Sequence, residues 1–246
     1  MGTTLMIALT GIMLATAFLS GIFGMAGGLI LMGVLLWLLP LPEAMALHAV
    51  TQIASNCWRG LLWFRHVRWR AAFAFLTGCA VAFALWTIWL YVPSKPIAFI
   101  LLGLSPFLVR MMPLDLKPDP ERLGHGLAYG TASMTLMLLA GVSGPLIDTF
   151  FLGGTLDRRE IVATKAVCQI VSHGAKLAYF GGMVDQAAGL DPAMAAIAIM
   201  TAIIGTSLAR PILEQLTDTQ FRTWANHIIT AIAAIYLSVG GYMLWG

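Results

Sequence analysis

The sequence predicts an all-α polytopic membrane protein made of two inverted-topology repeats, each with a glycine-broken helical hairpin. Three observations predict this fold. The 246 residues are 59% hydrophobic and only 10% charged, whereas a soluble domain carries roughly 25% charged residues. A 41-residue segment recurs, because residues 24–64 align without a gap on residues 141–181. The basic residues of the loops fall in alternate loops, as in chains that cross a membrane many times.

Apolar runs long enough to cross a hydrocarbon core of about 30 Å recur from end to end. No Lys or Arg precedes the first run, so we expect a retained helix rather than a cleaved signal peptide. We assign residues 1–112 to the first repeat, 113–122 to a cytoplasmic linker and 123–246 to the second repeat. The predicted helices of the first repeat are 3–23, 29–39, 43–65, 71–92 and 97–110. Those of the second are 123–140, 146–156, 158–181, 191–213 and 218–245.

The recurring segment indicates an internal duplication. Thirteen of its 41 aligned positions are identical, where the biased composition alone would give roughly four, mostly Ala and Leu. The informative identities are the polar and glycine pairs Gly24/Gly141, Gly27/Gly144, Glu43/Glu160, Gln52/Gln169 and Ser55/Ser172. We therefore expect two copies of one helical unit.

A glycine-rich break interrupts each copy, as GMAGG at 24–28 and GVSGP at 141–145. The apolar stretch after each break has about eleven residues and reaches only about 16 Å, half a bilayer. Free N–H groups at the start of such a half helix favour an anion. Close helix packing is the alternative reason for the glycines. The candidate residues at the breaks are Gly24, Gly27, Gly141, Ser143 and Gly144.

The basic loops predict the orientation. Ten basic residues lie in four loops that alternate with loops carrying only Lys95, which places those four loops in the cytoplasm and both termini in the periplasm. The polar helix of the first copy then starts outside and that of the second copy starts inside. Inverted repeats with broken helices at mid-membrane are the architecture of secondary transporters.

The polar helices carry one stripe of side chains in each copy, at helical spacing. These are His48, Gln52, Ser55 and Arg59, aligned with Lys165, Gln169, Ser172 and Lys176. We expect the Gln and Ser side chains to meet at mid-membrane, with basic groups at both mouths; helix–helix adhesion is the alternative for Ser and Gln. Asp148, aligned with Leu31, pairs with a basic residue or carries a coupling proton.

No cofactor, metal or nucleic acid is expected. The three cysteines lie in apolar segments without ligand spacing, which indicates inert buried thiols. The net charge of +3 reflects orientation in a membrane protein. Since no P-loop motif is present, active transport needs a coupling ion or a partner.

The chain has two glycine-rich breaks, and each opens a short apolar stretch that precedes a polar helix. In this pattern the chain resembles the sulfite exporter TauE/SafE family of bacterial membrane proteins. The resemblance extends over essentially the whole length. It implies transport of sulfite, sulfoacetate or a related small sulfur oxyanion, usually as export, in the bacterial inner membrane.

Together these features predict a secondary transporter, not an enzyme, which moves a small sulfur-containing anion by alternating access around a site between the repeats. The partners are the anion and the lipid bilayer; a coupling proton or other ion and a homo-oligomer stay open. The expected site combines Gly24, Gly27, Gln52, Ser55, Gly141, Ser143, Gly144, Gln169 and Ser172 with the pathway charges His48, Arg59, Lys165 and Lys176 and possible coupling at Asp148.

Two other functions stay open. An anion channel would use the same residues in a continuously open pore. The string GVSG also resembles the G-x-S-G of rhomboid intramembrane proteases, where Ser143 would work with His227. Against this reading, the first copy has Ala26 at the position of Ser143, and rhomboids lack an inverted duplication.

Overall fold

The structure is a computed structural model that describes residues 2–23, 25–111, 118–152, 155–184, 190–215 and 217–245. In these ranges the chain is helical and forms no strand, which confirms the all-α prediction. Ten α-helices are described: α1 Thr3–Phe23, α2 Met25–Leu38, α3 Leu41–Trp63, α4 Trp69–Trp89, α5 Lys95–Arg110, α6 Leu123–Ala140, α7 Gly144–Leu152, α8 Arg158–Ala178, α9 Pro192–Gln215 and α10 Asp218–Trp245. A 3₁₀ turn, Phe64–His66, follows α3, and a π-helical segment, Tyr179–Val184, follows α8.

Four of the described helices are long and apolar enough to cross a membrane. They contain the spans Thr3–Phe23, Trp69–Trp89, Pro192–Ala209 and Thr223–Trp245. Large apolar side chains are exposed on such helices, including Ile7 at 69%, Phe73 at 64% and Ile88 at 71%. A helix satisfies its own backbone hydrogen bonds, so it can present such side chains to lipid. The chain is therefore a multi-pass membrane protein.

Helices from the two ends of the chain pack against each other in matched pairs. Helix α1 packs on α9 and α4 packs on α6, while α5 packs on α10 and α3 on α8. In each pairing a helix that precedes the 113–122 segment contacts one that follows it. The two halves therefore share one core instead of forming two separate bundles.

Helices α3 and α8 pack against each other and run antiparallel. Gly60, late in α3, faces Ala166, early in α8, while Ala46, early in α3, faces Gly181 beyond the end of α8. Small residues at these points let the two backbones approach. The antiparallel crossing brings the polar stripes of the two helices against each other.

The short helices α2 and α7 begin differently. Gly141 adopts a left-handed conformation with φ +82°, ends α6 and donates its N–H to the Met137 carbonyl at 2.9 Å; glycine adopts this conformation without strain. Helix α7 then begins at Gly144, two residues earlier than the predicted start at 146. Helix α2 already begins at Met25, four residues earlier than predicted, because Met and Ala favour helix. Gly27 and Gly28 therefore lie in its first turn.

Candidate functional site

A small cavity lies where the polar helices meet the two short helices. Its walls come from both halves of the chain: Gly28, Leu29, His48, Gln52, Arg59, Val142, Ser143, Gly144, Lys165, Gln169 and His173. We call it the site cavity. The volume open to the centre of a water molecule in this cavity is about 30 Å³. Since one water needs about 10–15 Å³ on this measure, the cavity has room for roughly two waters or one small ion.

The long walls of the site cavity are α3 and α8. Gln52 follows His48 by four residues, and Gln169 follows Lys165 by four, so each pair lies on one helix face. Their aligned positions and the antiparallel crossing put an amide from each half on the cavity wall. An amide side chain offers both donors and acceptors, and it can therefore hydrogen-bond an oxyanion without adding charge.

The starts of α2 and α7 supply backbone to the cavity. Gly28 belongs to the first turn of α2, and its carbonyl oxygen accepts the His48 Nε2–H at 3.0 Å. Ser143 and Gly144 open α7, and the Ser143 carbonyl accepts the N–H of Ile147 at 3.0 Å. Pro145 comes next and has no N–H.

At one end of the cavity lies the histidine cluster, which we define as His48, His173 and Lys176. The Lys176 Nζ is 2.8 Å from the His48 Nδ1 and 2.8 Å from the Gly141 carbonyl oxygen. The His48 Nε2 is 3.0 Å from the Gly28 carbonyl oxygen. All three side chains are buried, and that of Lys176 is 0% exposed. The cluster thus ties the start of α2 to the end of α6.

The hydrogen bonds of His48 determine its tautomer. A carbonyl only accepts, so Nε2 must carry the proton that it donates to Gly28. Nδ1 is then the acceptor for the Lys176 amine. The ring centroid of His173 lies 5.5 Å from that of His48, and the His173 Nδ1 is buried without a hydrogen-bond partner among the described residues.

At the other end lies the ion-pair end, which we define as Arg59, Asp148 and Lys165. The Lys165 amine donates to the Asp148 carboxylate. The two side chains are 20% and 16% exposed. Arg59 donates to the Ser55 hydroxyl at 2.9 Å and is attracted by the Asp148 charge. A carboxylate therefore offsets part of the positive charge here.

Comparison with known proteins identifies the family. The model of the family described as sulfite exporter TauE/SafE matches residues 8–237, almost the whole chain. The chain belongs to the TauE/SafE family. The curated proteins and the solved structures gave no match. The family assignment confirms the resemblance, and it agrees with transport in a membrane instead of catalysis.

In this TauE/SafE protein the two serines of the stripe do not line the site cavity. The Ser55 hydroxyl is 3.0 Å from the Thr206 hydroxyl of α9. The Ser172 hydroxyl is 3.7 Å from the Cys79 sulfur of α4. Each serine therefore links its polar helix to a helix of the other half, as in the adhesion alternative. Their role in substrate binding stays a prediction.

The predicted glycines lie in different surroundings. A Cβ at Gly27 would overlap the backbone of α1 at Thr16 and Ser20, so Gly27 permits close helix packing. Gly141 directs its carbonyl to Lys176. Gly144 lines the site cavity, and Gly24 lies outside the described residues. Among the glycines of the breaks, Gly28 and Gly144 are those that reach the cavity.

Four cavity residues were not among the predicted site residues: Gly28, Leu29, Val142 and His173. His173 could have been found from spacing, since it follows Lys165 and Gln169 at steps of four. Lys176, predicted at a mouth, is instead fully buried in the histidine cluster. Its amine reaches His48 and Gly141 rather than solvent.

Ser143 and His227 do not form a catalytic pair in this structure. Ser143 is 2% exposed and lines the site cavity. His227 is exposed on α10, and no hydrogen bond joins it to Ser143 among the described residues.

A second cavity lies behind the ion-pair end. Its volume on the same measure is about 300 Å³. It is lined from α1, α5, α7 and α10, and its polar side chains are Arg110, Asp148, Thr149 and Asn226. Asp148 lines this cavity while its partner Lys165 lines the site cavity. The ion pair therefore stands between the two cavities.

Proposed function

We propose that this TauE/SafE protein is a secondary transporter that exports a small sulfur-containing anion, with sulfite as the first candidate, and binds it in the site cavity. The observation that carries the proposal is the lining of that cavity. Gln52 and Gln169 offer amide donors from the two halves, and Arg59 and Lys165 supply positive charge. Hydrogen bonds from charged donors to an oxyanion are stronger than neutral ones.

The charge balance of the site supports an anion. Three basic side chains, Arg59, Lys165 and Lys176, stand against one carboxylate, Asp148, in the site as described. A buried positive charge without a counter-ion is costly. A bound anion supplies the missing counter-charge, which gives the site a reason to prefer anions over cations.

The size of the cavity supports a small substrate. Room for about two waters suits an inorganic oxyanion such as sulfite better than an organosulfonate, which adds a carbon chain. We therefore expect sulfite to be preferred over sulfoacetate.

The matched packing of the halves supports alternating access between inverted repeats. The helices of the pairs α1–α9, α4–α6, α3–α8 and α5–α10 pack against each other in the structure. If the halves are inverted repeats, α1 with α9 is equivalent to α4 with α6, and the pairs α3–α8 and α5–α10 lie on the two-fold axis. In this proposal the hairpins α1–α2 and α6–α7 enter from opposite sides of the inner membrane, and both termini are periplasmic. Rocking of the halves then opens the cavity to one side at a time.

The Asp148–Lys165 pair fits a closing contact on the cytoplasmic side. It separates the site cavity from the larger cavity near Arg110, a residue that the basic loops place inside. Breaking the pair would join the two cavities and free Lys165 for the anion. Asp148 is then a closing residue, and its role in coupling stays a prediction.

Flux measurements test the proposed function. Proteoliposomes with the full chain should show saturable flux of labelled sulfite, faster than that of sulfate, sulfoacetate or chloride. Equal rates with and without the protein for every anion would contradict the proposal. Non-saturating conductance in planar bilayers would instead indicate the channel. Ser143→Ala should retain flux, whereas a protease would lose all of its activity.

A further inference from the structure

We propose that the anion binds together with a proton, which is held by the histidine cluster of His48, His173 and Lys176. This inference rests on the proposed function and adds a second ligand to the same site. It starts from the hydrogen bonds of Lys176, a fully buried amine that contacts a carbonyl oxygen and an imidazole nitrogen. In the part of the chain that the structure describes, no carboxylate lies within ion-pair distance of it.

The Lys176–His48 contact limits the pair to one positive charge. With His48 donating through Nε2 to Gly28, an unprotonated Nδ1 accepts the Lys176 N–H at 2.8 Å, and a protonated Nδ1 can only donate to a neutral amine. Two protonated groups would place two protons in one contact and break it. The pair therefore holds at most one charge in this arrangement, and further protonation must occur elsewhere or follow a rearrangement.

His173 is the natural acceptor for a further proton. Its ring lines the site cavity, and its Nδ1 is buried and lacks a partner among the described residues. An unpaired buried ring nitrogen is unfavourable unless a ligand satisfies it. A proton delivered by a hydronium ion bonds to the ring nitrogen that carries the lone pair, the O–H bond of the hydronium breaks and leaves water, and the site gains one positive charge that an adjacent anion offsets.

The two ends of the cavity show why only one of them should take up the proton. By the repeat alignment, His48 corresponds to Lys165 and Lys176 to Arg59. Asp148 supplies a fixed negative charge beside Lys165, but its aligned residue is the apolar, buried Leu31. The ion-pair end therefore keeps its charges, whereas the histidine cluster gains a counter-charge only when an anion is present.

The charged and titratable groups around the cluster are few. Across the cavity, Arg59 and Lys165 are cations and Asp148 is the anion that pairs with Lys165. From α4 comes the thiol of Cys79, which donates to the Gly130 carbonyl. Imidazole is the group in this set that ordinarily titrates near neutral pH. A nearby anion stabilises its protonated form.

The experiment measures protons taken up per bound anion. Isothermal titration calorimetry of the purified full chain, in buffers of different ionisation enthalpy, gives this number for sulfate and methanesulfonate, whose charge does not change near neutral pH. Wild type should take up about one proton per anion where imidazole titrates. By linkage, its affinity should rise as pH falls, at most tenfold per pH unit. Sulfite itself binds a proton, so for sulfite the informative quantity is the difference in proton uptake between wild type and a variant.

Variants locate the proton. His173→Asn and His48→Gln keep polar side chains that do not titrate, and each should reduce the proton uptake by at least half. Lys165→Met, at the opposite end, should weaken anion binding while the proton number stays at the wild-type value. If wild type binds anions but takes up no proton at any pH in the imidazole range, the inference is wrong and the proposed function still stands. This result needs only wild type, so it does not depend on whether the variants fold. Unchanged uptake in both histidine variants also overturns it, and absence of anion binding to wild type refutes both proposals.

Discussion

At the residue scale, the basic side chains of the site differ in whether a carboxylate lies beside them. Lys165 has Asp148 beside it, whereas Lys176 has a carbonyl and a neutral imidazole. A basic group inside a membrane is costly and marks a pathway or a partner. Positions of the two halves that align in sequence therefore carry different chemistry.

Lys165→Met should lower anion affinity by about ten- to a hundredfold, since a hydrogen bond to a charged group contributes about 1.5–3 kcal/mol. Calorimetric titration with sulfite measures the change. Arg70→Met, which removes an exposed charge outside the cavity, is the matched control. The double variant with Asp148→Asn separates loss of the lysine from repulsion by an unpaired carboxylate. Wild-type affinity in Lys165→Met would remove Lys165 from the site.

Alanine at two adjacent glycines should impair two different properties, stability at Gly27 and anion binding at Gly28. In Gly27→Ala the new Cβ would overlap the α1 backbone, so we expect a loss of stability of about 1–3 kcal/mol. In Gly28→Ala it would lie 3.3 Å from the Gln52 amide nitrogen, a flexible neighbour beside the cavity. That variant should retain its melting temperature and bind anions several-fold more weakly. Thermal unfolding in detergent and anion titration distinguish the two, and equal melting temperatures would contradict the packing role of Gly27.

At the element scale, the polar helix α8 is fixed at its start by a capping box. The Asp157 carboxylate accepts the N–H of Glu160 at 2.9 Å and that of Arg159 at 2.7 Å. The Glu160 carboxylate in turn accepts the Asp157 N–H at 3.0 Å. Such a cap satisfies N–H groups that have no partner within the helix. It fixes where the helix that carries Lys165 and Gln169 begins.

Asp157→Ala should lower the melting temperature by a few degrees at neutral pH. The Glu160 N–H, followed by the Arg159 N–H, holds the pKa of Asp157 below its usual value. The stabilisation is therefore present above the usual pKa of aspartate and is lost as pH falls through the lowered pKa. The difference in melting temperature between wild type and Asp157→Ala should shrink in acid, where the protonated carboxyl keeps only a neutral acceptor. Asp157→Asn, which still caps as a neutral acceptor, should lie between wild type and Asp157→Ala at neutral pH; a difference from Asp157→Ala that is undiminished in acid would contradict the titration.

Much of the element scale could be predicted from the sequence. The bounds of α1 and α6 match the apolar runs 3–23 and 123–140, because a span must satisfy its own backbone in lipid. The start of α2 could not be predicted, since glycines in a first turn do not end a helix that packs against α1. The site was also only partly predictable. Helical spacing predicted Gln52 and Lys165 as site residues, but the contact of Ser55 depends on the packing of α9.

At the scale of the whole molecule, the halves interlock through matched helix pairs. Because α1 packs on α9 and α4 on α6, neither half completes its core without the other. The site cavity lies at the crossing of α3 and α8, where the halves meet. A rigid-body movement between them would therefore change the cavity directly.

Cysteine labelling tests the orientation. In intact spheroplasts, Ser94→Cys, in the exposed turn before α5, should react with a membrane-impermeant maleimide. Arg65→Cys, in the exposed turn after α3, should react only after permeabilisation. Unmodified protein, whose Cys79 and Cys168 are buried and whose Cys57 is half-buried, gives the background. Labelling of Arg65→Cys in intact spheroplasts would contradict the topology.

The sequence by itself determined the membrane class and most of the helices, because hydropathy and backbone satisfaction in lipid act locally along the chain; the duplication stays a prediction. It also determined that Gln and basic residues recur at helical spacing in both copies. Only the tertiary structure decided which of them share a cavity. Packing between the two halves places Ser55 and Ser172 against neighbouring helices, and it buries Lys176 against His48 and the Gly141 carbonyl. These contacts join residues more than ninety positions apart or depend on a left-handed glycine, and no local pattern encodes them.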